Sequence, residues 1–251
     1  ATTNWLPYSW SVNNIAFAEV MHTALSYFQA GRAEAGYKLL KSSVLDGMYL
    51  GDSPGNFGQI SFYDAARGEC YRDFGDPIGV ASRVLIQGLF GILPDALNQQ
   101  IILRPGFPDD WDKASVSTPD ISYRFTRKED TDTYHITQRF QTPLHPVLQI
   151  NARKEKIRSV KVNGVPATWQ SIESAHGYPL LSIQAEGTSS TTITIEWEGA
   201  SLHTLAVQEL VIASNGKLAL QIPSGASISQ VYDPQSVLAK HTVEATAFNA
   251  Q

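Results

Sequence analysis

Cysteine is almost missing. Cys70 is the only one in 251 residues, which excludes an internal disulfide and any zinc site built on cysteines. Histidines 22, 135, 145, 176, 203 and 241 are scattered without ligand spacing, and no acid-rich calcium loop of defined register is present. No metal and no cofactor are expected. No apolar run approaches the ~20 residues of a membrane-spanning helix. The formal charge of -5 lacks the basic excess that nucleic-acid binding calls for. There is no phosphate-cradling glycine loop followed by lysine and no Gly-x-Ser-x-Gly turn. Solenoid repeats and low-complexity tracts are absent too. The opening ATTNWLPYSW has neither the basic start nor the apolar centre of a signal peptide, so any such signal is expected to have been removed or never to have been part of the chain. Scarce cysteine fits the cytoplasm and a bacterial secreted protein alike, and leaves the compartment open.

What is present is ordinary for a soluble fold: 43% hydrophobic and 17% charged residues. The length allows one large or two modest domains. Trp5, Tyr8 and Trp10 surround Pro7, and either Asn13 or Asn14 is a candidate helix cap. Ile15, Ala18, Val20, Met21, Leu25 and Phe28 then recur at helical spacing until Gly31 stops them. Residues 32 to 46 predict a second helix, one-sided and so on the surface. A third is predicted from Asp76 and Pro77, a cap and a first helical position, through Leu93. Its only charge after Asp76 is Arg83, so burial on nearly every side is expected.

Between the second and third helices lies the stretch from Gly47 to Asp76, which has neither helical nor strand periodicity and reads as a long loop. It carries Asp52, Asp64, Glu69, Asp73 and Asp76, with Arg67, Arg72 and six aromatics. Long loops in compact chains are usually functional or disordered, and so many aromatics argue against disorder. Such a loop suits a polar, ring-shaped ligand such as a sugar; the plainer alternative is a loop whose charges pair among themselves. The order inner helix, outer helix, loop, inner helix places residues 5 to 13 and this loop on one rim of a helical toroid.

Beyond Pro94 the character changes. Short alternating or β-branched runs at 101–103, 122–125, 134–140, 147–150, 160–162, 180–183 and 191–197, with turn signals such as Asn163-Gly164, predict an antiparallel sandwich. Further strands are expected at 208–213, 217–222 and 228–232, with a hairpin turn at Asn215-Gly216. The expected fold class is therefore α+β: helical hairpins over 1–98, a β-sandwich over 99–200, and strands over 201–251 that complete the sandwich or begin another β unit.

Two carboxyl groups flanking a glycosidic bond suffice to hydrolyse it, one donating a proton and the other activating water or attacking the sugar. Asp76 reads as a cap and Asp52 as a turn former, leaving Asp64, Glu69 and Asp73. Arg72 beside Asp73 suits a base or a sugar-hydroxyl anchor. Glu69 has no immediate cation and suits the proton donor. Tyr8, Trp10, Tyr63 and Tyr71 are candidate stacking platforms for a sugar ring, and Asn13 and Arg72 candidate hydrogen-bonding partners.

The run SPGNFGQISFYDAARGECYRDFGDPIGVASRVLIQGLFGILPDAL followed by IILRPGFPDDWDKASVSTPDISYRF resembles the end of the catalytic domain of six-hairpin glycosidases and its junction with their C-terminal β-sandwich. Leu89-Phe90-Gly91-Ile92 with Pro94-Asp95, Arg104-Pro105-Gly106-Phe107-Pro108, and Val162-Asn163-Gly164 carry the likeness, over residues 5 to 200. It points toward secreted polysaccharide-degrading proteins of gut-type bacteria, including a domain family of unknown function, and more distantly toward α-L-rhamnosidases and β-L-arabinofuranosidases. The resemblance implies part of an (α/α)6 toroid, an acidic pair at its rim, an oligosaccharide or polysaccharide substrate and a periplasmic or secreted location. It also implies that the rest of the toroid lies in a preceding or partnering N-terminal part, and leaves open whether one catalytic carboxylate lies there or both lie in this chain. Membrane and nucleic-acid partners are not expected. Two alternatives stay open: a toroid-plus-sandwich polysaccharide lyase using tyrosine and arginine, and a non-catalytic carbohydrate-binding module.

Overall fold

The computed structural model describes residues 14–50, 62–64, 69–71, 76–172, 179–202, 210–221, 228, 230–244 and 247–250. The chain divides into two compact units, Ala1–Thr204 and Leu205–Gln251; the class is α+β.

In the first unit, strand β1 (Asn14–Ala16) runs straight into helix α1 (Phe17–Gln29). Phe17, Ala18, Met21, Ala24, Leu25 and Phe28 return every three or four residues and are all buried, which is the stripe a packed amphipathic helix needs. The capping position is Ala16, with no side-chain hydrogen bond. The expected asparagine cap is therefore not used: Asn14 is committed to a strand, and Asn13 lies outside the described residues. Gly31, at φ +73°, ends the helix. Helix α2 (Ala33–Val44) follows and is prolonged by a π-helical turn, Leu45–Leu50.

The stretch read as a loop holds two short strands, β2 (Phe62–Asp64) and β3 (Glu69–Tyr71). With β1 they form an antiparallel sheet in the order β1-β2-β3. Helix α3 (Asp76–Arg83) continues into a second π-helical turn, Val84–Leu89. Burial all round, expected for this helix, is not found. Pro77, Val80, Val84, Gly88 and Leu89 are buried, whereas Ile78 is 54% and Leu85 40% exposed. Only one face packs against α1, however apolar the composition.

Phe28 locks the three helices together. An added Cβ would come within 2.9 Å of its ring from Gly36 on α2 and 2.7 Å from Gly88, and would overlap the ring from Gly106. Three missing side chains make the socket that holds one aromatic. Gly91, at φ +64°, then reverses the chain against the Arg104 carbonyl, which a Cβ would overlap. The third helix was expected to reach Leu93; that reversal ends it early, and 92–95 becomes a strand.

Next come β4 (Ile92–Asp95), β5 (Gln100–Leu103), β6 (Lys113–Ser117), β7 (Ile121–Lys128), β8 (Thr131–Gln138) and β9 (His145–Asn151). They are followed by β10 (Lys154–Val162), β11 (Val165–Pro166), β12 (Gln170–Ile172), β13 (Leu180–Gln184) and β14 (Ser190–Ser201). One sheet is six-stranded, β11-β10-β14-β8-β7-β6, and wholly antiparallel; the other is five-stranded, β12-β13-β9-β5-β4. The expectation of an antiparallel sandwich needs one amendment, because β5 and β9 pair in parallel. Asn163 and Gly164, both at positive φ, make the two-residue turn between β10 and β11.

Inward positions of both sheets, Tyr123, Ile136, Ile193 and Trp197 from one and Leu103, Leu148 and Ile183 from the other, join a single hydrophobic core with α1 and α3. Each such side chain contributes ~1.5–3 kcal/mol by leaving water. The segment between β5 and β6 binds helices to sandwich: Tyr37 meets Trp111 edge-on at 5.1 Å, Phe107 stacks on Phe125 at 5.2 Å, and the Asp109 amide donates to Glu34 Oε1 at 2.9 Å.

The second unit contains β15 (Leu218–Gln221), β16 (His241–Val243) and β17 (Ala247–Ala250) in the antiparallel order β15-β17-β16. The turn at Asn215 forms, with Gly216 N donating to Ala213 O at 2.8 Å. The described parts of two expected strands, 210–213 and 230–232, are not strands.

Candidate functional site

The candidate residues fall into two groups. Tyr8, Trp10, Asn13, Arg72 and Asp73 lie outside the described residues. Asp64, Glu69, Tyr63 and Tyr71 lie on β2 and β3, where the backbone register is defined. Asp64 pairs with Asn14 on one side and with Glu69 on the other. Tyr63 pairs with Ile15 and Cys70, one step out of phase with the acids, and Tyr71 pairs with Phe62.

The helices determine where this sheet sits. β1 leads into the first residue of α1, and β3 ends five residues before the start of α3. The hairpin between α2 and α3 thus pairs with the strand that enters α1. Directly opposed residues of an antiparallel pair have Cα atoms roughly 4.5–5.5 Å apart, so Asp64 and Glu69 are brought together from the two arms of one hairpin. Sequence reasoning put both residues forward but had no signal for their pairing.

Elsewhere, the charged groups inside the sandwich are structural. Asp132, 1% exposed, accepts from Arg127 Nε at 2.9 Å and from Trp197 Nε1 at 3.0 Å, with Arg153 Nε at 3.5 Å. No substrate reaches a carboxylate so enclosed. Near the surface, the Lys154 ammonium, 2.6 Å away, holds Asp130 below the usual carboxylate range. Lys161 does the same for Glu196. In the second unit, amides of Leu238 and Val237 lower Asp233. Burial pushes the hydroxyls of Tyr123 and Tyr134 well up. Among the described residues no three His, Cys, Asp or Glu side chains gather as a metal site.

The class defined by this geometry is an α+β chain in which a three-helix layer with a small acidic hairpin adjoins a β-sandwich. No family model matches it, and no curated protein matches it. Solved structures similar to it include two α-L-rhamnosidases. The enzyme from Dictyoglumus thermophilum is 16% identical at a TM-score of 0.35, over 49% of this chain and 14% of that one. The enzyme from Streptomyces avermitilis, solved with L-rhamnose, is 14% identical at a TM-score of 0.35, over 64% of this chain and 15% of that one. The chain thus matches only a small part of the length of either enzyme.

Proposed function

We propose that this chain is the C-terminal part of a glycoside hydrolase, periplasmic or secreted, that cleaves a complex glycan by paired-carboxylate acid/base catalysis. The observation that carries the reading is the register of Asp64 against Glu69. That register puts one acidic residue on each arm of the hairpin at opposed backbone positions, and a pair of carboxylates is what acid/base cleavage of a glycosidic bond requires. Glu69, without a neighbouring cation in sequence, takes the donor role, and Asp64 acts as base or nucleophile. Asp73 beside Arg72 anchors a sugar hydroxyl, and Tyr71, in phase with the two acids in the strand register, supplies a ring face, whereas Tyr63 falls one step out of phase with them. The remaining helices of an (α/α)6 toroid come from a preceding N-terminal part. Support also comes from the acidic, aromatic connector and from the resemblance of its flanking motifs to six-hairpin glycosidases.

The test is sugar release from aryl glycosides and plant polysaccharides by the chain together with any coding sequence preceding it. Glu69→Gln and Asp64→Asn should each lower kcat on the order of 10²–10⁴-fold, the usual contribution of a positioned acid or base. Release of an ultraviolet-absorbing unsaturated product would assign a lyase instead. Glycan binding without turnover, unchanged in both variants, would assign a binding module.

A further inference from the structure

The solvent face of the six-stranded sheet has a charge pattern that the whole chain does not. Along β6, β7 and β8 the inward positions form the core, so alternation turns the others outward. Each of those outward positions is lysine, arginine, histidine, serine or threonine. There is no carboxylate and no apolar side chain among them, in a protein whose net charge is -5.

The cations form a track. Arg124 sits opposite Ser115 and His135 in the strand register, and Lys113 sits opposite Thr126. Lys113 is therefore a diagonal neighbour of both Arg124 and Lys128, each roughly 7 to 8 Å away. Just past β8, Arg139 donates to Ser122 Oγ at 2.8 Å and to the Thr118 carbonyl at 3.3 Å. Its guanidinium is thereby fixed at the far end of the same face. Lys113, Arg124, Lys128, His135 and Arg139 are all exposed. Lys113, Arg124 and Lys128 make no ion pair among the described residues. On the neighbouring strand β14, Glu196, opposite Thr131 in the register, is already held by Lys161 at 3.2 Å. Asp130, at the hairpin end, is held by Lys154.

We propose that this face binds an acidic polysaccharide, a chain whose sugars carry carboxylate or sulfate groups. Charge complementarity gives the sign of the ligand: unpaired cations at a repeated interval, with no acid among them, attract an extended polyanion. The lattice of hydroxyls between them, with His135 Nδ1 and Thr192 Oγ1 at 2.9 Å, supplies the donors and acceptors that sugar hydroxyls require. Nucleic acid fits less well, since the face presents no aromatic ring for base stacking and the domain has no strongly basic balance. The chain's overall negative charge is screened beyond about 10 Å at moderate salt, so the local face governs contact. This surface belongs to the sandwich and does not depend on catalysis at the β2–β3 hairpin.

The test is affinity electrophoresis of the full chain through gels containing polygalacturonate, its methyl-esterified neutral form, a sulfated polysaccharide, or single-stranded DNA. Retardation by polygalacturonate or the sulfated polymer, absent with the neutral form and fading as salt is raised, is the expected result. Which of the two retards more assigns carboxylate or sulfate. Lys113→Ala with Arg124→Ala should weaken it about tenfold with an unchanged thermal melt, and Arg124→Lys should retain most of it. Equal retardation by DNA would overturn the assignment to a glycan. No retardation, or retardation that survives the double variant and Arg124→Glu, would overturn the site.

Discussion

Trp197 Nε1 donates a 3.0 Å hydrogen bond to Oδ2 of Asp132, and each residue is 1% exposed. A carboxylate buried this deeply persists only when its oxygens are occupied. Arg127 Nε occupies the other oxygen at 2.9 Å, and Arg127 also donates to the Asp109 carbonyl. The cluster therefore ties β7, β8 and β14 to the segment that carries Trp111 and Phe107. Asp132→Ala removes the shared acceptor, leaving Arg127 Nε and the Trp197 indole N–H without their partner and Arg153 without its counter-charge. Breaking a buried pair from one side costs about 3–5 kcal/mol. Trp197→Phe leaves the carboxylate one donor short, with a penalty of about 1–3 kcal/mol for the unmet group and more for lost volume. Urea unfolding of both variants measures these losses. A change under 1 kcal/mol for Asp132→Ala would show that the cluster adds nothing to stability.

Tyr123 presents the opposite case. It is 1% exposed, stacked on Phe107 and Tyr134, and its hydroxyl has no hydrogen-bond partner among the described residues. An unmet buried polar atom costs about 1–3 kcal/mol, so Tyr123→Phe should stabilise the fold by about 1 kcal/mol. The same burial sets an alkaline limit. Both Tyr123 and Tyr134 have hydroxyl pKa values raised in the folded state, above the unfolded value of roughly 10. Their contribution is complete below that value and is lost as pH rises beyond it, because only the unfolded chain releases the protons readily. Stability should be flat from pH 8 to 9 and fall above about 10, with tyrosinate absorbance of the two rings appearing together with unfolding. A destabilised Tyr123→Phe would mean that the hydroxyl has a partner.

At the acid end the groups are exposed and the effect is smaller. The Lys154 ammonium lowers Asp130 and the Lys161 ammonium lowers Glu196. A depressed carboxylate contributes stability that is present above its unfolded pKa, roughly 4, and is lost as pH falls through the folded value. Lys154→Ala and Lys161→Ala should therefore each flatten the decline in melting temperature below about pH 4. Added salt should have the same effect on the parent chain, since exposed pairs are screened. An acid limb that keeps its slope in both variants would assign it to other carboxylates.

How far the sequence could be read depended on the length of each element. In α1, six buried positions repeat over thirteen residues, enough turns to show a period. β14 spans twelve residues and alternates through most of its length. By contrast, β2 and β3 have three residues each, too few for alternation to stand out from a charged, aromatic background. At 92–95, Ile92 and Leu93 follow Leu89 and Phe90 as one apolar run, and only the left-handed backbone at Gly91 turns them into a strand. The facing of Asp64 and Glu69 could not be read either, because register is set by backbone hydrogen bonds between β2 and β3 and not by the identity of the acids. The sandwich was legible in its alternation, but the parallel pairing of β5 with β9 was not, since a strand's pattern does not reveal its neighbour.

The glycine socket around Phe28 yields the sharpest packing prediction. Phe28 is 4% exposed, so its ring has nowhere to go. Alanine at Gly106 would overlap the ring, and alanine at Gly88 would approach it within 2.7 Å. Overpacking of this kind costs about 1–3 kcal/mol, and at Gly106 the Gly88 carbonyl stands 3.0 Å away to block retreat on that side. Gly31→Ala has no such clash, since nothing lies within 4 Å, but its φ of +73° makes it strained for a different reason. The two causes separate in a double-mutant cycle with Phe28→Leu. Shrinking the ring should relieve most of the cost of Gly106→Ala, giving a coupling in the 0.5–3 kcal/mol range seen for residues in contact, while the cost of Gly31→Ala stays the same. Additive losses for Phe28 and Gly106 would show that the ring does not fill the space their geometry assigns to it, and that helices and sandwich are joined chiefly through Tyr37, Trp111 and Glu34.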